Sequence, residues 1–193
     1  MTQQLLPALR AMLLLTVLTG IIYPGVVTGL CQMLFRDKAN GSLVQVNGQI
    51  VGSALLGQNF SKPEYFHPRP SAAGNDGYDA TASGASNFGP TNQKLYDRVK
   101  ISADQFRKEN PSFDGPIPAD ALTASASGLD PHISVANAEA QVARVAKARR
   151  ASFQRVQRIL DSHIEGRDLG FLGEARANVL AVNIELDRQL PKH

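Results

Sequence analysis

Residues 11–35, AMLLLTVLTGIIYPGVVTGLCQMLF, contain no charged side chain. At about 1.5 Å of rise per residue, a helix of this length exceeds the roughly 30 Å hydrocarbon thickness of a bilayer. The run predicts one transmembrane helix, with an N-terminal tail over residues 1–10 and a soluble domain over residues 36–193. A cleaved signal peptide is the competing interpretation, but no Ala-x-Ala cleavage motif follows the run.

Four residues inside this run predict contact with other helices. Gly25 and Gly29 form a small-xxx-small pair, which lets two helix backbones approach closely. Tyr23 brings a hydroxyl, and Pro24 frees a carbonyl, and within a membrane both groups need hydrogen-bond partners. We therefore expect helix docking through Tyr23, Pro24, Gly25 and Gly29, with a lone kinked anchor as the alternative.

The composition excludes several classes of function. The chain has 20 basic and 17 acidic residues without a clustered basic face, so we expect no binding to nucleic acid. Its single Cys and its four His, which show no i, i+4 pairing, predict no metal site. No G-x-S-x-G motif is present, and we expect no catalytic residues.

The remainder of the chain predicts an α+β domain. Asn47-Gly48 lies between two β-prone runs, 42–46 and 49–56, and is a strong hairpin signal because both residues accept positive φ. Apolar residues at helical spacing then predict helices after Thr91, from Ser134 to Arg149, and from Ser152 to Gly166. Residues 178–186 alternate like a strand, yet Asn178 is also suited to cap a helix, so periodicity leaves both open.

A long segment over residues 61–90 is dense in Pro, Gly, Ser, Asn and Asp and shows neither apolar period. Irregular segments of this length are uncommon in a compact domain and usually bind or dock something. We expect a long irregular loop that contributes to function.

Two segments resemble phosphate-binding sequences without completing the pattern. Residues 52–58 have the G-x₄-G spacing of a phosphate loop, but Gln58-Asn59 replaces the Lys-Ser/Thr pair, so a tight turn explains the glycines equally well. Residues 123–134, TASASGLDPHIS, lead into a predicted helix whose N-terminus could hold an anion. Asp130 and Ser134 could equally cap that helix.

Seven strings follow one another along nearly the whole chain: Tyr23-Pro24, GSALLGQNF at 52–60, YFHPRPSAA at 65–73, SGASN at 83–87, TASASGLDPHIS at 123–134, QVARVAKAR at 141–149 and NVLAVN at 178–183. Together they resemble the C subunits of the bacterial Kdp potassium-transporting ATPases.

The resemblance implies a single-pass, non-catalytic accessory subunit of an ATP-driven potassium uptake complex in the bacterial inner membrane. Its implied partners are the catalytic P-type ATPase subunit, the channel-like potassium-binding subunit and membrane lipid. As the family's catalytic chaperone, the chain would alternatively contact ATP jointly with the ATPase subunit, using Ser125, Ser127, Gly128 and Gln141.

These two implications conflict over topology. The resemblance suggests an N-terminus in the cytoplasm, which puts the soluble domain on the periplasmic side, away from cytoplasmic ATP. The charges beside the apolar run, Arg10 against Arg36 and Lys38, are too evenly balanced to orient the helix. We expect an extracytoplasmic domain over the potassium entrance, with the helix of Gly25 and Gly29 docked on the channel-like subunit.

Overall fold

A helical rod, Leu5–Leu34, forms the N-terminal part of the computed structural model, which describes residues 4–190. It consists of α1 (Leu5–Val17), a π-helical turn (Leu18–Ile22) and α2 (Tyr23–Leu34). The rod is long and apolar enough to cross a membrane, and its apolar stretch is not buried inside the chain. It begins earlier than the predicted span, so residues 5–10 of the predicted tail are helical, because the uncharged run understates how far helix-forming residues extend.

The π-helical turn directly precedes Tyr23-Pro24. Proline lacks the N–H that would bond to the carbonyl four residues earlier, and its ring clashes with that carbonyl. A widened turn over Leu18–Ile22 relieves this conflict without breaking the helix. The hydroxyl of Thr19 donates to the Leu15 carbonyl at 2.7 Å and satisfies an acceptor there.

A short helix and a hairpin follow the rod: α3 (Arg36–Ala39), β1 (Leu43–Val46) and β2 (Gln49–Ser53). Asn47 and Gly48 both adopt positive φ, 52° and 77°, which confirms the predicted two-residue hairpin. The chain divides into two compact units, one ending at Val51 and the other beginning at Gly52.

The second unit contains helices and a small antiparallel sheet, which confirms the mixed helix and strand prediction. The sheet has the order β3-β5-β4, with Ile133 of β3 and Ile164 of β4 both opposite Ala177 of β5. Its elements are α4 (Gln93–Glu109), α5 (Ala119–Leu122), β3 (His132–Ser134), α6 (Val135–Ala148), α7 (Phe153–Asp161), β4 (Ile164–Glu165), β5 (Arg176–Asn178) and α8 (Val179–Gln189).

Helices α6, α7 and α8 and strand β5 enclose the main core of this unit. Its fully buried apolar side chains include Val142, Val156, Leu160, Val182 and Leu186. These residues recur at helical spacing on one face of each helix, so the core follows from the amphipathic pattern.

Local capping decides the helix boundaries. The Ser134 hydroxyl accepts from the Asn137 N–H at 3.1 Å, as predicted for the N-cap of α6. Asn178 accepts from Ala181 N–H at 3.1 Å, which settles residues 179–189 as helix after a three-residue strand. The prediction that the third helix reaches Gly166 is wrong: α7 ends at Asp161, because the chain must turn to pair β4 with β5.

Candidate functional site

The long loop over residues 61–90 has no helix or strand in the structure, as predicted. At its start, two buried amide side chains hold consecutive backbone groups. Asn183 of α8 accepts from the Phe66 N–H at 2.8 Å and donates to the Phe66 carbonyl at 3.0 Å. Gln141 of α6 accepts from the His67 N–H at 2.7 Å and donates to the His67 carbonyl at 3.2 Å. Each amide thus makes with one residue the pair of backbone hydrogen bonds that a neighbouring β-strand would otherwise make.

Two arginines, Arg144 of α6 and Arg149 directly after that helix, bind the backbone just before these residues. Arg144 Nη1 donates to the carbonyls of Pro63 and Tyr65 at 2.7 and 2.9 Å. Arg149, with its side chain 2% exposed, donates to the Glu64 carbonyl at 2.7 Å and lies 5.1 Å from the centre of the Tyr65 ring. Burial lowers the pKa of Arg144 to about 10, so it stays charged at neutral pH. The basic residues at the end of α6 and directly after it therefore organise the loop.

An ion pair fixes the next part of the loop. Arg69 Nη1 donates to Asp130 Oδ2 at 2.9 Å, and its buried Nε has no hydrogen-bond partner among the described residues. Burial alone would raise the pKa of Asp130, but hydrogen bonds from His132 and Arg69 outweigh it and leave this pKa below its ordinary value. Burial also raises the pKa of the Tyr78 phenol, which donates to the Arg69 carbonyl at 2.7 Å.

The Ser-Gly turn at residues 125–128 supports the loop from another side. Ser125 Oγ accepts from the Gly128 N–H at 2.9 Å, and Ser127 Oγ accepts from the Leu129 N–H at 3.1 Å. Gly128 has a φ of +68°, and a Cβ there would lie 2.7 Å from the Ala73 nitrogen. Its carbonyl accepts from Ser71 Oγ at 2.7 Å. The turn therefore needs glycine at this position.

A cleft of about 450 Å³ opens between the loop and helices α4 and α6. His67 and Gln141 line it beside Glu109 of α4, and His67 Nδ1 lies 3.0 Å from Glu109 Oε2. This hydrogen bond lowers the pKa of Glu109 more than burial raises it, and Gln105 Nε2 also donates to the carboxylate. Among residues 4–190, no group of three or more His, Cys, Asp or Glu is placed to hold a metal ion.

The four residues predicted to contact ATP do not share one surface of this cleft. Ser125, Ser127 and Gly128 form their own turn and are not part of the cleft lining, whereas Gln141 is. The Gln141 amide makes four hydrogen bonds, to both backbone groups of His67, to Asn137 and to Arg144, which is its full capacity. Direct contact with ATP stays a prediction.

The Gly52–Gln58 segment forms a tight turn, which was the alternative to a phosphate loop. Gly57 N–H donates to the Leu129 carbonyl at 2.8 Å, and a Cβ at Gly57 would lie 2.7 Å from the Asp130 carbonyl oxygen. This glycine allows the chain at residue 57 to pass close to residues 129–130.

The four predicted helix-docking residues lie on the exposed rod. Tyr23 is 66% exposed, and Pro24, Gly25 and Gly29 are also exposed. A Cβ at Gly25 or Gly29 would have no neighbour within 4 Å among the described residues. No contact within residues 4–190 requires glycine at either position, and docking on another helix stays a prediction.

Sequence reasoning missed the role of Asn183, Arg149 and Arg69. Polar residues within the apolar pattern of α6 and α8 were a usable signal, because a buried Asn or Gln on a helix needs a partner. That partner, the backbone of residues 64–67, lies far away in sequence and was not identifiable from periodicity.

The described residues thus combine a rod long and apolar enough to cross a bilayer with a folded unit whose buried polar side chains hold its own loop. The family model described as KdpC, the c chain of the K⁺-transporting ATPase, matches residues 5–188. The chain belongs to this family.

Relatives from several bacteria agree with this assignment. A potassium-transporting ATPase KdpC subunit of Mycobacterium tuberculosis is 54% identical over 189 residues, covering 97% of this chain and 100% of that protein. The subunit of the same name from Rhodospirillum rubrum is 52% identical, and the match covers 99% of this chain and 98% of that protein. The KdpC subunit from Koribacter versatilis is 51% identical, and the match covers 99% of this chain and 97% of that protein.

Proposed function

We propose that this chain is a non-catalytic accessory subunit of an ATP-driven potassium uptake complex in the bacterial inner membrane. In this role it assembles and stabilises the complex and promotes ATP use by the catalytic subunit. Membership of the KdpC family carries the proposal, since the relatives are named as subunits of a potassium-transporting ATPase. The sequence contains no Asp-Lys-Thr-Gly phosphorylation motif, so the aspartyl phosphate must form on another subunit.

The rod Leu5–Leu34 is the proposed membrane anchor. Its large apolar side chains are exposed, among them Leu14 at 65% and Ile21 at 66%, and lipid or neighbouring helices would remove them from water. Gly25 and Gly29 leave room for a second helix to approach the backbone, which favours docking on the channel-like subunit.

Reconstitution tests the accessory role. We expect the complex in nanodiscs to lose most of its potassium-stimulated ATPase activity without this chain and to regain it when the full chain is added back. The full chain alone should hydrolyse no ATP. ATP turnover by the chain alone, or a complex whose assembly and activity do not depend on it, would contradict the proposal.

The topology of the folded unit separates the accessory role from direct ATP contact. A cysteine introduced as Asn75→Cys, in the exposed part of the long loop, can be labelled with a membrane-impermeant reagent in intact cells. The background carries Cys31→Ser, because Cys31 is the chain's free cysteine. We expect labelling from outside, whereas labelling only after permeabilisation would place the unit beside cytoplasmic ATP.

The alternative proposal is a nucleotide-binding catalytic chaperone in which Ser125, Ser127, Gly128 and Gln141 hold ATP with the ATPase subunit. The exposed Ser127 beside the positive-φ Gly128 is the feature that favours it. Photoaffinity labelling of the intact complex with an azido-ATP tests it directly. Label on this chain that Ser127→Ala reduces would support ATP contact, and label confined to the catalytic subunit would contradict it.

A further inference from the structure

The His67 ring lies between two hydrogen-bond acceptors that belong to different elements of the second unit. Its Nδ1 is 3.0 Å from Glu109 Oε2, at the C-terminal end of α4, and its Nε2 is 3.0 Å from the Lys62 carbonyl oxygen in the long loop. A neutral imidazole carries a single N–H and can donate to only one of these oxygens. The other oxygen would then face a lone pair of the ring, which is unfavourable.

Arg144 of α6 does not resolve this conflict. Its Nη1 lies 3.3 Å from His67 Nε2, but both N–H groups of this nitrogen already donate to nearer backbone carbonyls, those of Pro63 at 2.7 Å and Tyr65 at 2.9 Å. His67 Nε2 is therefore placed to donate to the Lys62 carbonyl rather than to accept from Arg144. With both ring nitrogens as donors, the geometry is that of a protonated imidazolium.

Two charged groups face the ring from the helices packed against it. The Glu109 carboxylate of α4 favours the protonated ring, and the hydrogen bond from His67 lowers the pKa of Glu109. The Arg144 guanidinium of α6 opposes a positive charge on the ring. Arg69 and Asp76, whose charges are opposite, line the same cleft as His67. Because imidazole is the side chain whose charge ordinarily changes between about pH 5 and 8, this arrangement carries a charge that responds to pH.

Helix α4 has few other attachments to the second unit. Of the described residues of α4, Phe106 alone is buried. Arg98 Nη2 donates to the Ser71 carbonyl at 3.3 Å, and Asn110, directly after the helix, accepts from Arg144 Nε at 3.1 Å. A segment with so little buried surface opens locally at low cost, so the charge-assisted bond from His67 is a large part of what holds its C-terminal end.

We propose that His67 is a pH-sensitive switch: its protonated ring holds the C-terminal end of α4 against the long loop, and loss of a ring proton to solvent releases the helix end and widens the cleft. On deprotonation, either the Glu109 carboxylate or the Lys62 carbonyl loses its donor. The bond that remains no longer joins opposite charges and is weaker. This inference concerns the folded unit alone and does not depend on the proposed accessory function.

The ring nitrogens report the state of the switch directly. The full chain, labelled with ¹⁵N-histidine and held in detergent micelles, is titrated by NMR between about pH 5 and 8. The signal that disappears in His67→Gln identifies the His67 ring. We expect both ring nitrogens to be protonated at the acid end and one to lose its proton as the pH rises.

A matched pair of variants tests the role of Glu109. In Glu109→Gln the His67 ring should lose its proton at a lower pH than in the wild type, because the carboxylate that favours the charged ring is gone. Glu139→Gln is the control, since it removes an exposed carboxylate elsewhere on α6 and should leave the titration unchanged. A His67 titration that Glu109→Gln does not move, or that Glu139→Gln moves equally, would overturn the proposal.

Hydrogen exchange measures the release of the helix end. The Asn110 N–H donates to the Phe106 carbonyl at 2.9 Å, and its exchange, corrected for the intrinsic rate, should rise about tenfold from the acid to the alkaline end of the titration. The buried Leu160 on α7 is the reference and should show no such rise. In His67→Gln and in Glu109→Gln the rise should be lost. A wild-type rate that does not change with pH, or a rise that both variants retain, would overturn the switch.

Discussion

The side-chain amide of Asn183 pairs with both backbone groups of Phe66, at 2.8 and 3.0 Å, across 117 positions of sequence. Gln141 of α6 likewise accepts from the N–H of His67 and donates to its carbonyl. The Phe66 ring, 1% exposed, belongs to the core beneath these contacts. Helices α6 and α8 therefore hold the start of the long loop in two ways. Their amide side chains bond to its backbone, and the Phe66 ring is buried in the apolar core. Together these contacts fix the path of an irregular segment.

Replacing Asn183 should destabilise the folded unit. Asn183→Leu keeps a similar volume but leaves the buried N–H and carbonyl of Phe66 unpaired, which costs about 3 kcal/mol. We expect the melting temperature of the full chain in detergent to fall by about 5–10 °C, measured by calorimetry. Asn59→Leu, at an exposed position, is the control and should change little. An unchanged melting temperature for Asn183→Leu would show that water replaces the amide.

Arg149 should not be replaceable by lysine. Its guanidinium donates to three acceptors, the carbonyls of Glu64 and Leu190 and the Asp187 carboxylate, each at 2.7 Å. A single ammonium group lacks this planar arrangement of donors. Arg149→Lys should lower the free energy of unfolding by about 2–3 kcal/mol in urea titrations. The adjacent, exposed Arg150→Lys should be neutral, and equal effects of the two variants would contradict this role.

Gly128 should not tolerate a side chain. Its φ of +68° is unfavourable for alanine, and the new Cβ would lie 2.7 Å from both the Ala73 nitrogen and the Gly84 carbonyl oxygen. Backbone cannot move aside as a flexible side chain can, so Gly128→Ala should cost about 3 kcal/mol. Gly166→Ala is the control, because a Cβ there has no neighbour within 4 Å. Hydrogen exchange of the 71–84 backbone should rise in Gly128→Ala alone.

The Asp130 carboxylate should make stability depend on pH in the acid range. Its pKa in the folded chain lies below the ordinary 3.8, so its contribution is fully present above 3.8 and is lost as the pH falls through the folded value. Asp130→Asn removes this titration. We expect the urea midpoints of wild type and variant to differ above pH 3.8 and to converge below it. A gap that widens on acidification would contradict this prediction.

Local features of the fold were predictable because they depend on residues close in sequence. Asn47-Gly48 predicted the hairpin since few other pairs accept two positive φ values. Ser134 predicted the start of α6 since its hydroxyl bonds to an N–H three residues later. Asn178 remained ambiguous because β5 and α8 meet there, and both interpretations describe part of the segment.

The candidate site was predictable only in part. The composition of residues 61–90 indicated an irregular loop, and the structure has neither helix nor strand there. The positions of Arg69, Gln141 and Asn183 around that loop were not predictable, because nothing in an apolar period shows which distant backbone a polar side chain will meet. The exposed turn at residues 168–172 also escaped notice, since Leu169 and Phe171 are apolar and give no sign of exposure in sequence.

The sequence by itself determined a rod able to span a bilayer, the hairpin after it, the amphipathic helices of the core and the family. Each follows from length, from local backbone preference, or from the order of motifs along the chain. Only the tertiary structure decided that Asn183 and Gln141 hold the loop backbone and that Leu169 and Phe171 project into solvent. Those outcomes depend on contacts between segments far apart in the chain, where burial and hydrogen-bond geometry select the partner.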